Sequence, residues 1–194
     1  FKEMSSASGR PISITVEQQD ARPEWWLQLL DGIKEAQDNG IKMYGQVPPR
    51  ATGILMGLTA SLNPFTLYPS FLEILDLSLD QKVKLMKDPD FKKKILSEEP
   101  VSIGNPLLDE IITSFNKMFR LGDPANYEPH PDSSILSESK KLNLTPQAIL
   151  YDMLLEKNGR ALIYHPLFNY EFGNLDHVET MLKHPYTIFG LGDA

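Results

Sequence analysis

Asp193 is the residue whose neighbours best prepare it for acid–base work. It closes the run Tyr186-Thr187-Ile188-Phe189-Gly190-Leu191-Gly192-Asp193, an apolar strand-like stretch that ends on a carboxylate beside glycine. A carboxylate at the tip of a buried strand is pressed toward a shared pocket, where it can hold a divalent metal or take a proton from an attacking water. A helix N-cap is the competing reading of the same residue. Arg50 leaves a second strand through Pro48-Pro49, which stiffen its approach, and its planar guanidinium suits bidentate binding of a substrate carboxylate. A surface salt bridge would use that group equally well. Gln18 and Gln19 stand at the exit of a first strand, where either amide can bind a ligand or simply face water.

Other chemistries find little support. The four histidines, His130, His165, His177 and His184, form no His-x-His and no His-Glu-x-x-His pattern, so no complete metal centre is legible. Lysines 82, 84, 87, 92, 93 and 94 make a basic stretch, but Asp88 and Asp90 interrupt it and helical spacing spreads it over a solvated face. There is no glycine-rich phosphate loop and no Gly-x-Ser-x-Gly elbow. Without cysteine the chain has no disulfide, thiolate metal site or thiol nucleophile, which is compatible with a cytoplasmic protein. Twenty-six acidic against nineteen basic residues give a formal charge of −7, which argues against nucleic acid or an anionic membrane as the main partner. No run approaches the ~18 apolar residues of a membrane span.

The elements that must position these residues come from periodicity. Pro11 to Glu17 alternates β-branched residues and reads as a strand. Pro23 fits a helix start with Asp20 as its cap, and Trp26, Leu29, Leu30, Ile33 and Ala36 make one apolar stripe that Asn39-Gly40 stops. Ile41 to Val47 is a second strand. A strand, a helix of about four turns and a strand in so few residues make a right-handed parallel βαβ unit. From Pro48 the strand signal fades into loops and helices, expected at 79–87 with a Ser78/Gln81 capping box, 89–97, 106–119, 133–142 and 146–157. A further helix starts near Asn174 and ends at His184-Pro185, before the strand that carries Asp193. The fold class is therefore α/β, divided as 1–47 (the βαβ unit), 48–160 (a helical insertion or lid, too long for a bare connection) and 161–194 (the last helix and strand). In such folds chemistry sits at the C-terminal strand ends, which selects Gln18-Gln19-Asp20, Pro48-Pro49-Arg50 and Gly192-Asp193.

Four separated blocks resemble a known family. They are Gly9-Arg10-Pro11-Ile12, Gln46-Val47-Pro48-Pro49-Arg50-Ala51-Thr52-Gly53-Ile54-Leu55-Met56-Gly57-Leu58, Asn169-Tyr170-Glu171-Phe172-Gly173-Asn174-Leu175-Asp176, and His184-Pro185 through Gly190-Leu191-Gly192-Asp193-Ala194. Their order is similar to the C-terminal part of amidohydrolase-superfamily proteins of the N-acyl-D-amino-acid deacylase type. The resemblance implies a partial (β/α)₈ TIM-type barrel, strands six to eight with the insertion after strand seven, and reads the abrupt chain ends as those of a fragment. It implies a hydrolase of amide C–N bonds using a divalent metal, zinc for preference, with Asp193 as both catalytic acid and metal ligand and Arg50 and Gln18 facing substrate. Relatives place a metal-binding histidine at the tip of strand six, where this sequence has Gln18 or Gln19. The implied partners are a small N-acyl amino acid or related amide, and the missing barrel part or a second copy. No tightly bound metal and no turnover are expected of this chain alone. A non-catalytic ligand-binding or scaffold member of the same fold is the alternative.

Overall fold

A computed structural model describes residues 1–190, and the chain divides into two compact units, 1–53 with 166–194 and 54–165. It is a mixed α/β structure. In chain order the elements are α1 (Lys2–Ser8), β1 (Ile12–Thr15), α2 (Trp25–Asp38), β2 (Met43–Val47), β3 (Thr52–Met56), α3 (Pro69–Leu72), α4 (Leu79–Met86), α5 (Pro89–Leu96), α6 (Pro106–Thr113), β4 (Phe119–Arg120), α7 (Ile135–Leu142), α8 (Pro146–Gly159), β5 (Ile163–Phe168), α9 (Asp176–Leu182) and β6 (Thr187–Phe189). No helix among the described residues is long and apolar enough to cross a membrane.

The first unit is built on a three-stranded sheet in the order β1-β2-β6, parallel throughout, with Ile12 opposite Met43 and Gly45 opposite Thr187. Val16, Met43 and Val47 turn inward with Trp26, Leu30, Ile33 and Ala36 of α2 and Val178 and Met181 of α9 to form its core. Strand pleating sends alternate residues the other way. Ser13 and Thr15 are exposed on that second face, and Gln46 Nε2 donates to Ser13 Oγ at 2.9 Å. Gly45 has a packing reason: a Cβ there would meet Thr187 Cγ2 at 2.9 Å and Val16 Cγ2 at 3.0 Å.

One local expectation is corrected by the geometry of α2. Asp20 does not cap α2, because Trp25 N–H donates to Arg22 O at 3.0 Å, making a turn that starts the helix at Trp25 with Glu24 as N-cap. Lys2–Ser8, whose serines favour caps over helix interiors, is nevertheless helical. Its end is fixed by Gly9 in the left-handed region and by Ser5 Oγ donating to Arg10 O at 2.7 Å.

The second unit packs α3 to α8 around Phe65, Phe71, Met86, Ile95, Leu150, Tyr151 and Leu154, all nearly or fully buried. Phe65 meets Tyr151 edge-on with ring centres 5.6 Å apart, and the Tyr151 hydroxyl donates to Met86 O at 2.8 Å. Ser78 and Gln81 form the expected capping box of α4. Strands appear where the sequence reading has none: β3, β5 and β4 form a second sheet in that order, with β4 antiparallel to β5 and Phe119 opposite Tyr164. The expected helix at 106–119 accordingly stops at Thr113, leaving residues 119–120 to pair with β5.

Candidate functional site at the strand tips

Beyond Thr15, β1 keeps its pairing for one more residue, with Val16 N–H donating to Gln46 O at 2.9 Å. The backbone then passes to a new partner. Gln18 N–H donates to Asn169 Oδ1 at 2.8 Å, and Asn169 N–H donates back to Gln18 O at 3.0 Å. Asn169 Nδ2 in turn donates to Arg50 O at 3.3 Å. One buried asparagine thus ties the tip of β1 to the segment leaving β2. Asn169 takes φ 62°, in the left-handed region that asparagine tolerates better than most side chains.

Gln18 is fully buried, and its orientation is fixed chemically. Glu171 N–H donates to Gln18 Oε1 at 3.1 Å, so the remaining terminus is the amide NH₂, which meets no acceptor among the described residues. A buried donor without a partner costs about 1–3 kcal/mol, and a ligand oxygen would satisfy it. The same geometry does not fit a metal, because the amide nitrogen has no lone pair to give and Oε1 is already engaged. Gln19 instead bridges to Phe168 and Arg22 through its backbone.

Arg50 is half-buried, with Nη1 donating to Ala51 O at 3.0 Å. The structure therefore brings Gln18 and Arg50 to one sheet edge. Asp193 lies outside the described residues. Gly190, at the end of β6, approaches Gln46 so closely that a Cβ would lie 2.5 Å from Gln46 Cβ, and its N–H donates to Val47 O at 3.0 Å. Among the described residues no group of three or more His, Asp or Glu side chains could hold a metal ion.

Three nearby groups escaped the sequence reading of chemistry. Asn169 joins the two strand tips. Glu17, next to Gln18 and half-buried, has its carboxyl pushed up by burial and forms no ion pair among the described residues. His177, in the first turn of α9, lies against Trp26 and Phe172 with ring centres 6.4 and 6.1 Å away. Burial pulls its pKa down, offset by the Asn169 backbone and the Asp176 carboxylate. The available signal was a polar Asn169 inside the apolar run Pro166-Leu167-Phe168-Asn169-Tyr170. Gln18 and Arg50 together offer a buried hydrogen-bond donor and a guanidinium, groups suited to carbonyl or carboxylate recognition.

No family model, curated protein or solved structure matches the chain. The lysine stretch is in part engaged in ion pairs: Lys92 pairs with Asp152 at 2.6 Å and Lys94 with Glu73 at 3.4 Å.

Proposed function

We propose that this chain supplies strands six to eight of a (β/α)₈ barrel in a metal-dependent hydrolase of C–N bonds, similar to N-acyl-D-amino-acid deacylases. The observation that carries the reading is the joining of Gln18 and Arg50 by Asn169 at the C-terminal edge of a parallel sheet. That is where such folds place their ligands. The sheet itself supports the barrel. Its strands are parallel and adjacent in the order six, seven and eight require, α2 and α9 cover one face, and Ser13, Thr15 and Tyr44 on the other face are exposed. Parallel sheets are ordinarily covered on both faces, and the further strands of a barrel would curve around this one.

In this reading Asp193 accepts the proton of the water that attacks the amide carbon, then passes it to the departing nitrogen as the C–N bond breaks. Gln18 Nε2 donates to a substrate oxygen, and Arg50 pairs with the substrate carboxylate. Asp193 is the one metal ligand drawn from this chain, and zinc, when bound, would lower the pKa of its water toward ~7. The substrate is an N-acyl amino acid or related amide, and the chain's partner is the rest of the barrel. Gln18 in the place of a ligating histidine favours a second reading, a ligand-binding member of the fold without catalysis.

A polypeptide joining this sequence to upstream barrel strands separates the two. Release of free amino acid from N-acetyl-D-amino acids, with stoichiometric zinc by elemental analysis, is expected. Saturable binding of those compounds without hydrolysis or metal would establish the non-catalytic reading.

A further inference from the structure

At the opposite edge of the same sheet, where β1 and β2 begin, a cavity of about 270 Å³ is lined by Ser5, Ser6, Arg10, Asn39 and Lys42, with glycines between them. Two cations stand on a polar wall that contains no acid. The sheet register explains how they meet, since Ile12 lies opposite Met43 and the residues just before each strand enter side by side. The acids at the end of α2 are occupied elsewhere: Glu35 pairs with Lys2 and Asp38 with Lys34, at 2.7 and 2.6 Å. Neither Arg10 nor Lys42 makes an ion pair or a side-chain hydrogen bond among the described residues.

Both cations follow helix C-terminal ends, Arg10 after α1 and Lys42 after α2, where the last carbonyls favour positive charge. Asn39, Gly40 and Ile41 N–H groups already donate to the last carbonyls of α2, and Gly9 N–H donates to Ser5 O in α1. Two neighbouring cations without an ion-pair partner among the described residues, in a chain of formal charge −7, make a local positive patch that an anion would enter against the overall field.

We propose that this cavity binds a phosphate group, with Arg10 bidentate on two oxygens, Lys42 on a third, and the Ser6 hydroxyl donating to the group. The cavity is at the small end of ligand sites and has room for a short phosphomonoester. The site is independent of the strand-tip reading, because it lies at the other edge of the sheet.

The test is a heteronuclear NMR titration of the whole 194-residue chain with inorganic phosphate and, separately, glucose 6-phosphate, at low ionic strength. Saturable shifts of the Gly9, Asn39 and Gly40 amides are expected, tighter for whichever probe is the better occupant. Arg10→Gln and Lys42→Gln should each weaken binding by about 10-fold or more, as expected for loss of a charge-assisted hydrogen bond. Both side chains are exposed, so the variants should keep the parent's far-UV circular dichroism. Shifts that fail to saturate with either probe, that acetate reproduces equally, or that survive both substitutions would overturn the proposal.

Discussion

The two units handle buried polar groups in opposite ways. In the second, the core is aromatic and aliphatic, and its polar groups find partners at its margin, as when the Tyr151 hydroxyl donates to Met86 O, 65 positions away, or Asp88 caps α5. In the first, the residues just beyond β1 enter a buried polar network whose partners lie far apart in sequence, and Gln18 keeps a donor in hand. Apolar burial stabilises without direction, whereas a buried polar network carries stability only if complete. The first unit thus keeps one buried donor that a ligand oxygen would satisfy, whereas the second is held mainly by apolar packing. His165, within the second unit, departs from this pattern: it is buried with both ring nitrogens lacking a partner among the described residues.

If the second unit is held by packing, Tyr151→Ala should be the most damaging of the substitutions considered. Loss of a fully buried ring that meets Phe65 edge-on should cost about 3–5 kcal/mol in urea unfolding. A loss below about 1 kcal/mol would mean that this core is not what holds the unit together.

His165 sharpens the contrast through pH. Burial, with Lys117 nearby, holds its pKa at about 4 against an ordinary value of 6.5. The unfolded chain therefore binds the proton first. Stability from the neutral buried ring is complete above about pH 6.5, declines as pH falls toward 4, and levels off below that, a difference on the order of 3 kcal/mol. Unfolding free energies measured from pH 7 to pH 4 should show this slope, and His165→Phe should flatten it. An unchanged slope in the variant would assign the acid sensitivity to other groups.

Asn169→Gly breaks the network while keeping the left-handed backbone accessible. It strands the buried Gln18 N–H and should cost about 1–3 kcal/mol. Asn169→Asp keeps the acceptor for Gln18 but sets a buried carboxylate oxygen against Arg50 O, so it should cost no less. If Asn169→Gly were as stable as the parent, the bond to Gln18 would be immaterial.

The legible parts of the fold are those whose signals are local. The β-branched run from Ile12, the Asn39-Gly40 stop and the Ser78/Gln81 capping box each act within a few residues, and the corresponding elements stand close to their expected bounds. β3 and β5 were not legible because Thr52-Gly53-Ile54-Leu55-Met56 becomes a strand only by joining a sheet with residues more than a hundred positions away. The site divides in the same way. Strand direction placed Gln18 and Arg50 at one edge, but Asn169 acts on Gln18 from 151 positions away. Which Gln18 atom is left over depends on Glu171 N–H, which no spacing rule contains.

The central proposal is that Asp193 performs the acid–base chemistry of a C–N hydrolase. Asparagine keeps the size of the side chain and can still cap a helix, but it cannot accept the proton. In a polypeptide that adds the upstream barrel strands the proposal calls for, kcat for an N-acetyl-D-amino acid and the melting temperature should be measured for the parent and Asp193→Asn. The account predicts a fall in kcat of about 10²–10⁴-fold at an unchanged melting temperature. A mutant that turns over at near the parental rate would contradict it and leave Asp193 a structural residue.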